Sequence, residues 1–289
     1  MTTSPAAPPH ARPIDSLRSW LGRSTRRIRD RSGAEVGCAP VLPEAEQYQG
    51  GSGPLGVLLI HGFTGNPSSM RPWADQLERD GFRVSVPRLA GHGTTWQELN
   101  QTRWEDWYET VESAFDDLSA QCERTFVCGL SMGGGLALLL AARHGSRVAG
   151  LGLTNPSVHS PDPRRFGLPV LRHVLPSLAA IGGDIAQPEV TESAYGRTPL
   201  HAAWSVTELF RMIRHDLPRV DQPMIIYKSR VDHVLGDRSL EIIRDGVRSR
   251  DIAVVYLERS YHVATLDYDA DLIFSGTSEF FTRLATATK

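Results

Sequence analysis

The sequence predicts an α/β fold in which a mostly parallel central sheet carries helices on both faces. Short apolar runs such as residues 56–60 alternate with amphipathic helical patterns such as residues 104–120. Continuous apolar runs are typical of strands buried on both faces of a parallel sheet, and their alternation with helices indicates βαβ units. The alternation stops over residues 155–218 and then resumes, so we expect one fold with an insertion.

The domain boundaries follow from this interruption. Residues 51–154 and 219–289 are predicted to form the α/β core, because apolar strand patterns and helical patterns alternate in both stretches. Residues 155–218 are rich in prolines and large apolar side chains, and are expected to form a small, mainly helical cap. Residues 1–50 are expected to form an arginine-rich tail that is partly disordered.

The basic residues of the tail lie among apolar ones over residues 14–31. This pattern is typical of a short amphipathic helix that rests on an anionic membrane surface. Composition favours the alternative, a solvated and weakly structured tail. No continuous apolar stretch follows these basic residues, so no secretory signal is predicted.

Composition excludes several classes of function. The 289 residues are 40% hydrophobic and 22% charged, with a formal net charge of −2, which argues against nucleic acid as the main partner. The cysteines Cys38, Cys122 and Cys128 are sparse and odd in number, which indicates reduced thiols and a cytoplasmic location. No apolar run approaches the length of a membrane span, and no grouping has metal-ligand spacing. We therefore predict neither a metal nor a cofactor.

The most informative motif is the pentapeptide G-x-S-x-G centred on Ser131. An apolar segment precedes it and a helix-forming run follows it, so a strand, a sharp turn and a helix are predicted with the serine at the bend. Gly129 and Gly133 are small enough for strand and helix to approach closely. This context predicts a nucleophilic serine. The alternative is a glycine-rich turn whose serine only caps the helix.

A serine hydroxyl is a poor nucleophile unless a general base is within hydrogen-bond reach and a third group orients that base. His262, which follows the predicted strand 252–257, is the candidate base, because it is the last histidine of the chain. His233 is excluded as the base by its position next to the predicted acid. The alternative role for His262 is that of a surface loop residue.

Asp232 is the predicted acid, because it follows an apolar strand pattern beginning at Met224. Sites of open α/β sheets lie at the carboxyl ends of the strands. Asp237 is the nearest alternative, but its position favours capping of the helix that begins near Arg238. Asp221 precedes the strand and would lie at the opposite end of the sheet.

The developing oxyanion needs preorganised donors. One is expected to be the backbone N–H of Met132, the residue after the nucleophile, at the positive end of the following helix. The second is expected to be the N–H of Phe63, in the loop after the strand that ends at Ile60. We predict that His61 fixes this loop by hydrogen bonds and takes no part in the chemistry.

Five motifs, in chain order, resemble the bacterial carboxylesterase and monoacylglycerol lipase group of the α/β-hydrolases. They are His61-Gly62-Phe63-Thr64-Gly65, Gly91-His92-Gly93, Gly129-Leu130-Ser131-Met132-Gly133, Asp232-His233-Val234 and His262-Val263-Ala264-Thr265-Leu266-Asp267. The resemblance runs from about Leu55 to the C-terminus. It implies a core sheet of about eight strands, a small cap between the sixth and seventh, and ester hydrolysis without a cofactor.

The same resemblance implies a residue for each catalytic role. It gives the roles of nucleophile, acid and base to Ser131, Asp232 and His262, and those of oxyanion donors to Phe63 and Met132. The chain departs from the group's pattern at Tyr261 and Ser229, where glycines are common. The run from Met132 to Gly135 is also similar to cofactor-free haloperoxidase-like hydrolases, which leaves the substrate more open than the roles of the three side chains.

The predicted function is hydrolysis of small-molecule carboxylic esters with small to medium acyl chains, with monoacylglycerol as the leading substrate. A thioesterase, an acyltransferase or a peptidase on the same scaffold remains an alternative, because the same three side chains support each reaction. A non-catalytic binding protein is a more remote one, because such proteins commonly lack a member of the triad. The substrate-binding residues and the oligomeric state are not predicted.

Overall fold

The computed structural model describes residues 39–180 and 183–287. Residues 14–31 of the N-terminal tail, for which an amphipathic helix and a solvated tail are the alternatives, and Cys38 lie outside these residues. Within them, seven strands form one central sheet and two further strands form a small separate sheet. The strands are β1 (Tyr48–Gly50), β2 (Leu55–Ile60), β3 (Arg83–Val86), β4 (Arg124–Leu130), β5 (Val148–Thr154), β6 (Ser177–Ala179), β7 (Arg197–Pro199), β8 (Met224–Ser229) and β9 (Ile252–Leu257).

The helices alternate with these strands as the sequence predicts. They are α1 (Arg71–Arg79), α2 (Trp96–Leu99), α3 (Trp104–Ser119), α4 (Met132–His144), α5 (Leu168–Val174), α6 (Leu200–Asp216), α7 (Arg238–Gly246) and α8 (Ala270–Thr286). The central sheet has the order β1-β3-β2-β4-β5-β8-β9. All its pairings are parallel except that of β1 with β3. The predicted fold class is therefore confirmed.

Alternate residues of β2 enter two different cores, which explains its continuous apolar run. Val57 and Leu59 pack on the face that carries α1 and α8, whereas Leu58 and Ile60 pack on the face that carries α3, α4 and α6. All four side chains are fully buried. Burial of both faces stabilises the strand, but it does not by itself fix the register, because a shift of one residue would leave the apolar character of each face unchanged.

The sheet differs in detail from the expectation of about eight strands. The described residues contribute seven, and the first of them, Tyr48–Gly50, lies inside the stretch assigned to the tail. This strand is too short to give an alternating pattern, and it is held by antiparallel pairing with β3 at the sheet edge. The insertion consequently falls between the fifth and sixth strands of the central sheet, β5 and β8, and not between the sixth and seventh.

The predicted cap, residues 155–218, is not wholly helical. Its first residue, Asn155, directly follows β5 and belongs to the carboxyl edge of the sheet, and residues 156–218 are here called the cap segment. They contain α5 and α6, but also β6 and β7, which pair antiparallel between Ser177 and Pro199. Each of these strands has three residues, which is too few for a periodic signal in the sequence.

The side chain of Asn66 accepts the first free N–H of a short 3₁₀ turn (Pro67–Ser69) that precedes α1. The capping assignment of Asp237 needs correction. Asp237 occupies the position before α7, but its side chain makes no capping hydrogen bond. In the described part of the chain, no helix has both the length and the apolar character that crossing a bilayer requires.

Candidate active site

Ser131 lies in the sharp turn between β4 and α4, with φ 54° and ψ −118°. A residue other than glycine rarely adopts such a backbone, so the surrounding structure must hold it there. A side-chain carbon on Gly129 would come within 2.4 Å of Gly133, and one on Gly133 within 2.1 Å of the Ile60 carbonyl oxygen. The prediction that small residues are required on both sides of the serine is confirmed.

The structure brings the three predicted side chains together at the carboxyl edge of the sheet. The Oγ of Ser131 lies 2.9 Å from Nε2 of His262. Nδ1 of the same ring lies 3.1 Å from the Asp232 carboxylate. With the imidazole uncharged, its Nδ1–H donates to Asp232 and its Nε2 accepts the hydroxyl proton of Ser131. This is the geometry of a nucleophile, a general base and an orienting acid.

Asp232 is buried and its oxygens are fully engaged. Oδ1 accepts the backbone N–H groups of Val234 and Leu235, at 3.0 and 2.7 Å. Oδ2 accepts the ammonium of Lys228 at 2.9 Å as well as the His262 ring. Burial by itself raises the pKa of this carboxyl, but the hydrogen bond to His262 and the charges of His262 and Lys228 outweigh it, so the pKa falls to about 2. The carboxylate therefore stays ionised at neutral pH.

The loop after β2 passes beside Ser131, and His61 fixes its conformation. The backbone N–H of Leu89 donates to Nε2 of His61, so Nδ1 carries the ring proton and donates to the Gly62 carbonyl at 2.9 Å. Burial lowers the pKa of His61 to about 4, which keeps the ring neutral. Since the C=O and N–H of a trans peptide point in opposite directions, the Phe63 N–H points away from His61.

Phe63 and Met132 line the same cavity as Ser131. Met132 is the first residue of α4, so its N–H has no partner within the helix and lies at the positive end of the helix dipole. A side-chain carbon on Gly62 would lie 3.5 Å from the Ser131 Cβ, so the loop and the serine are in contact distance. Both residues predicted as oxyanion donors thus line the cavity that contains Ser131.

Both peptide groups of His262 are held, by residues that the sequence analysis missed. Asn155, at the end of β5, donates its Nδ2–H to the His262 carbonyl at 2.8 Å and to Ser229 Oγ at 2.9 Å. Asp184 of the cap segment accepts the His262 N–H at 3.2 Å and also pairs with the His233 ring at 2.7 Å. Asn155 directly follows β5 at the carboxyl edge of the sheet, a position typical of site residues; Asp184 carried no such signal.

A cavity of about 490 Å³ opens above the Ser131 hydroxyl. Most of its wall is apolar, and much of that wall comes from the cap segment. The apolar lining includes Leu168, Leu178, Leu200, Val206, Phe210 and Val263. A volume of this size with apolar walls fits a small organic ligand rather than a macromolecule.

Glu192 contributes a carboxyl group to the same cavity. Its Oε2 accepts the Gly183 N–H at 3.3 Å, and its Oε1 would lie 3.0 Å from a side-chain carbon on Gly65 of the loop after β2. Burial raises the pKa of Glu192, although the Gly183 N–H and the charge of His262 act in the opposite direction. Glu192 therefore forms a polar corner of the cavity, close enough to His262 for their charges to interact.

Across residues 39–180 and 183–287, no group of three or more His, Cys, Asp or Glu side chains could hold a metal ion. Cys128 is a fully buried thiol, as the sequence predicts, and burial raises its pKa well above the usual value. Cys122 is also a free thiol.

The parallel sheet and the serine at the strand–turn–helix bend define the chain as an α/β-hydrolase. A profile of the family Hydrolase_4, described as "Serine aminopeptidase, S33", matches residues 55–269. The chain belongs to this family.

Relatives narrow the class further. The chain is 39% identical to the thermostable monoacylglycerol lipase of Bacillus sp. (strain H-257), over 85% of this chain and 98% of that protein. It is 28% identical to the carboxylesterase of Bacillus subtilis (strain 168), over 84% and 98% of the two chains. A solved structure from work on LipS and LipT, two metagenome-derived lipolytic enzymes, superposes with a TM-score of 0.82 at 37% identity, covering 84% of this chain and 100% of that one. The chain is a carboxylic ester hydrolase.

Proposed function

We propose that the chain hydrolyses carboxylic esters through an acyl-enzyme on Ser131. The observation that carries the proposal is the hydrogen-bonded chain from Ser131 through His262 to Asp232 at the base of an apolar cavity. Among these three residues, Ser131 is the nucleophile, His262 is the general base, and Asp232 is the acid that orients the imidazole and stabilises its charged form.

The reaction proceeds in two halves. His262 takes the Ser131 proton as the hydroxyl oxygen attacks the ester carbonyl, and the Phe63 and Met132 N–H groups hold the oxyanion. The protonated His262 then donates to the departing alcohol, which leaves the acyl group on Ser131. Water, deprotonated by the same ring, releases the carboxylic acid by the reverse path.

Monoacylglycerol is the proposed natural substrate, with small to medium acyl chains. The apolar wall formed largely by residues 155–218 suits an acyl chain, and these residues would act as a cap that selects its length. Glu192 supplies a hydrogen-bonding group for the free hydroxyls of a glyceryl leaving group at the polar corner. The relative named a monoacylglycerol lipase supports this choice. We also propose a cytoplasmic location, on the sparse cysteines of the chain.

A peptidase is the second candidate, because the description of the matching family names a serine aminopeptidase. Glu192 could pair with a substrate ammonium group as well as with a hydroxyl. The two functions differ in the bond that is cleaved, so a panel of monoacylglycerols, p-nitrophenyl esters, acyl-CoA and aminoacyl anilides separates them. Ester hydrolysis is expected to exceed amide hydrolysis by at least about a hundredfold in kcat/KM, since ester relatives define the class.

Labelling with a fluorophosphonate tests the proposed nucleophile. The wild-type enzyme is expected to form one covalent adduct and lose activity in parallel, whereas Ser131→Ala forms none. Ser157→Ala, which changes another serine of the cavity wall, is the matched control and should label normally. Labelling of folded Ser131→Ala, or wild-type ester hydrolysis that survives complete labelling, would contradict the proposal.

Glu192→Gln tests the proposed leaving group. It should lower kcat/KM for monoacylglycerol by about three- to tenfold relative to ethyl esters of the same acyl chain, because a neutral amide is a weaker acceptor for the glyceryl hydroxyls than a carboxylate. An equal loss for both ester classes would argue against recognition of the glyceryl group.

A further inference from the structure

Lys228 is a buried cation beside the proposed catalytic acid. It occupies the end of β8, and its side chain is 5% exposed while that of Asp232 is 2% exposed. Its ammonium donates to Asp232 Oδ2 at 2.9 Å and to the Leu235 carbonyl at 3.1 Å. Lysine is rarely buried to this degree unless it is paired, so the ion pair accounts for its position.

The residue type is unusual for this chain. Lysine and arginine together number 31, yet the lysines are Lys228 and Lys289 alone. All other residues in this count are arginines. At the position beside Asp232 the chain has instead a compact ammonium, which concentrates its charge at one point and fits between a carboxylate and a carbonyl.

Lys228 and His262 both contact the carboxylate of Asp232. Nζ lies 2.9 Å from Oδ2, and the ring Nδ1 lies 3.1 Å from each of the two oxygens. While the ring is uncharged, Lys228 is the cation hydrogen-bonded to this carboxylate, and the backbone N–H groups of Val234 and Leu235 donate to Oδ1. Without Lys228, a buried anion would face the ring with no compensating charge, and the ring would bind a proton more readily.

We propose that Lys228 acts through Asp232 to keep the His262 ring unprotonated, and therefore competent as a base, at more acidic pH than Asp232 alone would permit. The proposal rests on the proposed function. Lys228 touches no reacting atom, so it is a positioning and charge-balancing residue. The same ammonium must weaken the stabilisation that Asp232 gives to the imidazolium formed during the reaction, so its benefit is confined to acidic pH.

Other charged groups face His262 and remain unchanged when Lys228 is replaced. Asp184 binds the His262 backbone N–H and pairs with His233, and the carboxyl group of Glu192 interacts with the ring through its charge. Asp267 accepts the N–H of the preceding residue, Tyr261. These carboxylates favour the protonated ring, and Lys228 opposes them.

Replacement of Lys228 by glutamine removes the charge but keeps N–H donors for Asp232 and Leu235. The acidic limb of the kcat/KM profile is expected to move upward by about one pH unit, the low end of the effect of one nearby charge. Activity should therefore fall roughly tenfold on the acidic limb and stay equal or rise on the alkaline plateau. Lys289→Gln removes the other lysine and is the matched control, with an unchanged profile. Active enzyme is counted by fluorophosphonate titration, so that partial unfolding does not alter the rate constants.

A change of structure alone would lower activity by the same factor at every pH, and such a uniform loss in Lys228→Gln would overturn the proposal. If Lys228→Gln and Lys228→Met both fail to fold, the measurement on the wild-type protein described next decides the proposal. Absence of Ser131-dependent hydrolysis in the wild type would be a different result, because it removes the proposed function itself.

The wild-type protein offers a test that needs no folded Lys228 variant. Lysine labelled with ¹³C at Cε gives two signals, which Lys289→Arg assigns. The Lys228 signal is expected to shift as the pH crosses the acidic limb of activity, because the ring and the ammonium contact the same carboxylate. A Lys228 signal that is constant through this range would overturn the proposal.

Discussion

The carboxyl edge of the sheet and the cap segment differ in how firmly they hold their side chains. At the edge, the side chains of Asp232 and His262 are buried, and each is fixed by several hydrogen bonds. In the cap segment, α5 has seven residues and exposes Val170 and Val174, which are 69% and 72% accessible, while it buries Leu168 towards the cavity. The edge therefore fixes the reacting side chains within the narrow tolerance that catalysis requires, whereas the cap segment determines the shape of the cavity.

The difference also appears in backbone strain. The residues other than glycine with positive φ in the described chain are Thr64, Ser131 and Asn155, and all three lie at strand ends around the site. Strain of this kind persists only where neighbouring contacts over-determine the conformation. Changes at the sheet edge should consequently alter rates, whereas changes in the cap segment should alter substrate preference.

The largest effect is expected from Asp232→Asn. The amide cannot stabilise the imidazolium and favours the wrong ring tautomer, so kcat should fall by about 10³- to 10⁴-fold. The variant also leaves Lys228 without its anion, so a lower Tm is expected. Asp237→Asn, five residues along the chain and without a side-chain cap, is the control and should match the wild type. A loss below tenfold in pH–rate assays would mean that Asp232 is not the acid.

Asn155→Gly should have the next largest effect. Glycine tolerates the φ of 43° at this position, so the variant removes the side-chain hydrogen bonds to His262 and Ser229 without adding backbone strain. Because the loop carrying the base is then free to move, kcat per titrated active site should fall by about ten- to a hundredfold with little change in KM. Asn100→Ala, which removes a hydrogen bond to the cap segment at His201, should leave kcat nearly unchanged. Equal losses in the two variants would remove the distinction between edge and cap.

Phe210→Ala tests the cap segment from inside the cavity. Phe210 lies on α6, is 5% exposed and forms part of the apolar wall. Its removal should enlarge the cavity and raise the ratio of kcat/KM for long over short p-nitrophenyl esters by about tenfold. The lost burial should also cost about 3 kcal/mol of unfolding free energy. An unchanged chain-length profile would indicate that the acyl chain lies elsewhere.

The sequence predicts the edge far better than the cap segment, for a physical reason. Ser131 lies in a turn whose two glycines are required, because a side-chain carbon on either would come within 2.4 Å of the neighbouring backbone. The sequence motif therefore predicts the geometry of the turn. Asp232 and His262 each follow a strand with a clear apolar pattern, and parallel strands bring their carboxyl ends to one edge. At the edge, the local sequence pattern and the topology of the sheet therefore predict the same positions for the three side chains.

The residues that were missed act across longer distances. Asp184 lies in an irregular part of the cap segment and reaches His262, 78 residues away in the chain, through a backbone N–H that no side-chain pattern reveals. Lys228 ends a strand whose burial pattern predicts apolar residues, and only the pairing with Asp232 explains its charge. The strands β6 and β7 of three residues each depend on mutual pairing and carry no periodic signal.

The smallest effect is expected from Val170→Ser, on the outer face of α5. Val170 is 69% exposed, so its replacement should change the unfolding free energy by no more than about 0.5 kcal/mol. With short, water-soluble esters kcat/KM should stay within about twofold of the wild type, and the chain-length profile should match that of the wild type.

Leu168→Ser is the matched variant on the inner face of α5, because Leu168 lies two residues away on the same helix but lines the cavity. It should shift the profile in the direction of Phe210→Ala. A comparable shift in Val170→Ser would mean that substrate contacts both faces of α5. The cap segment would then not act on the substrate through its inner face alone.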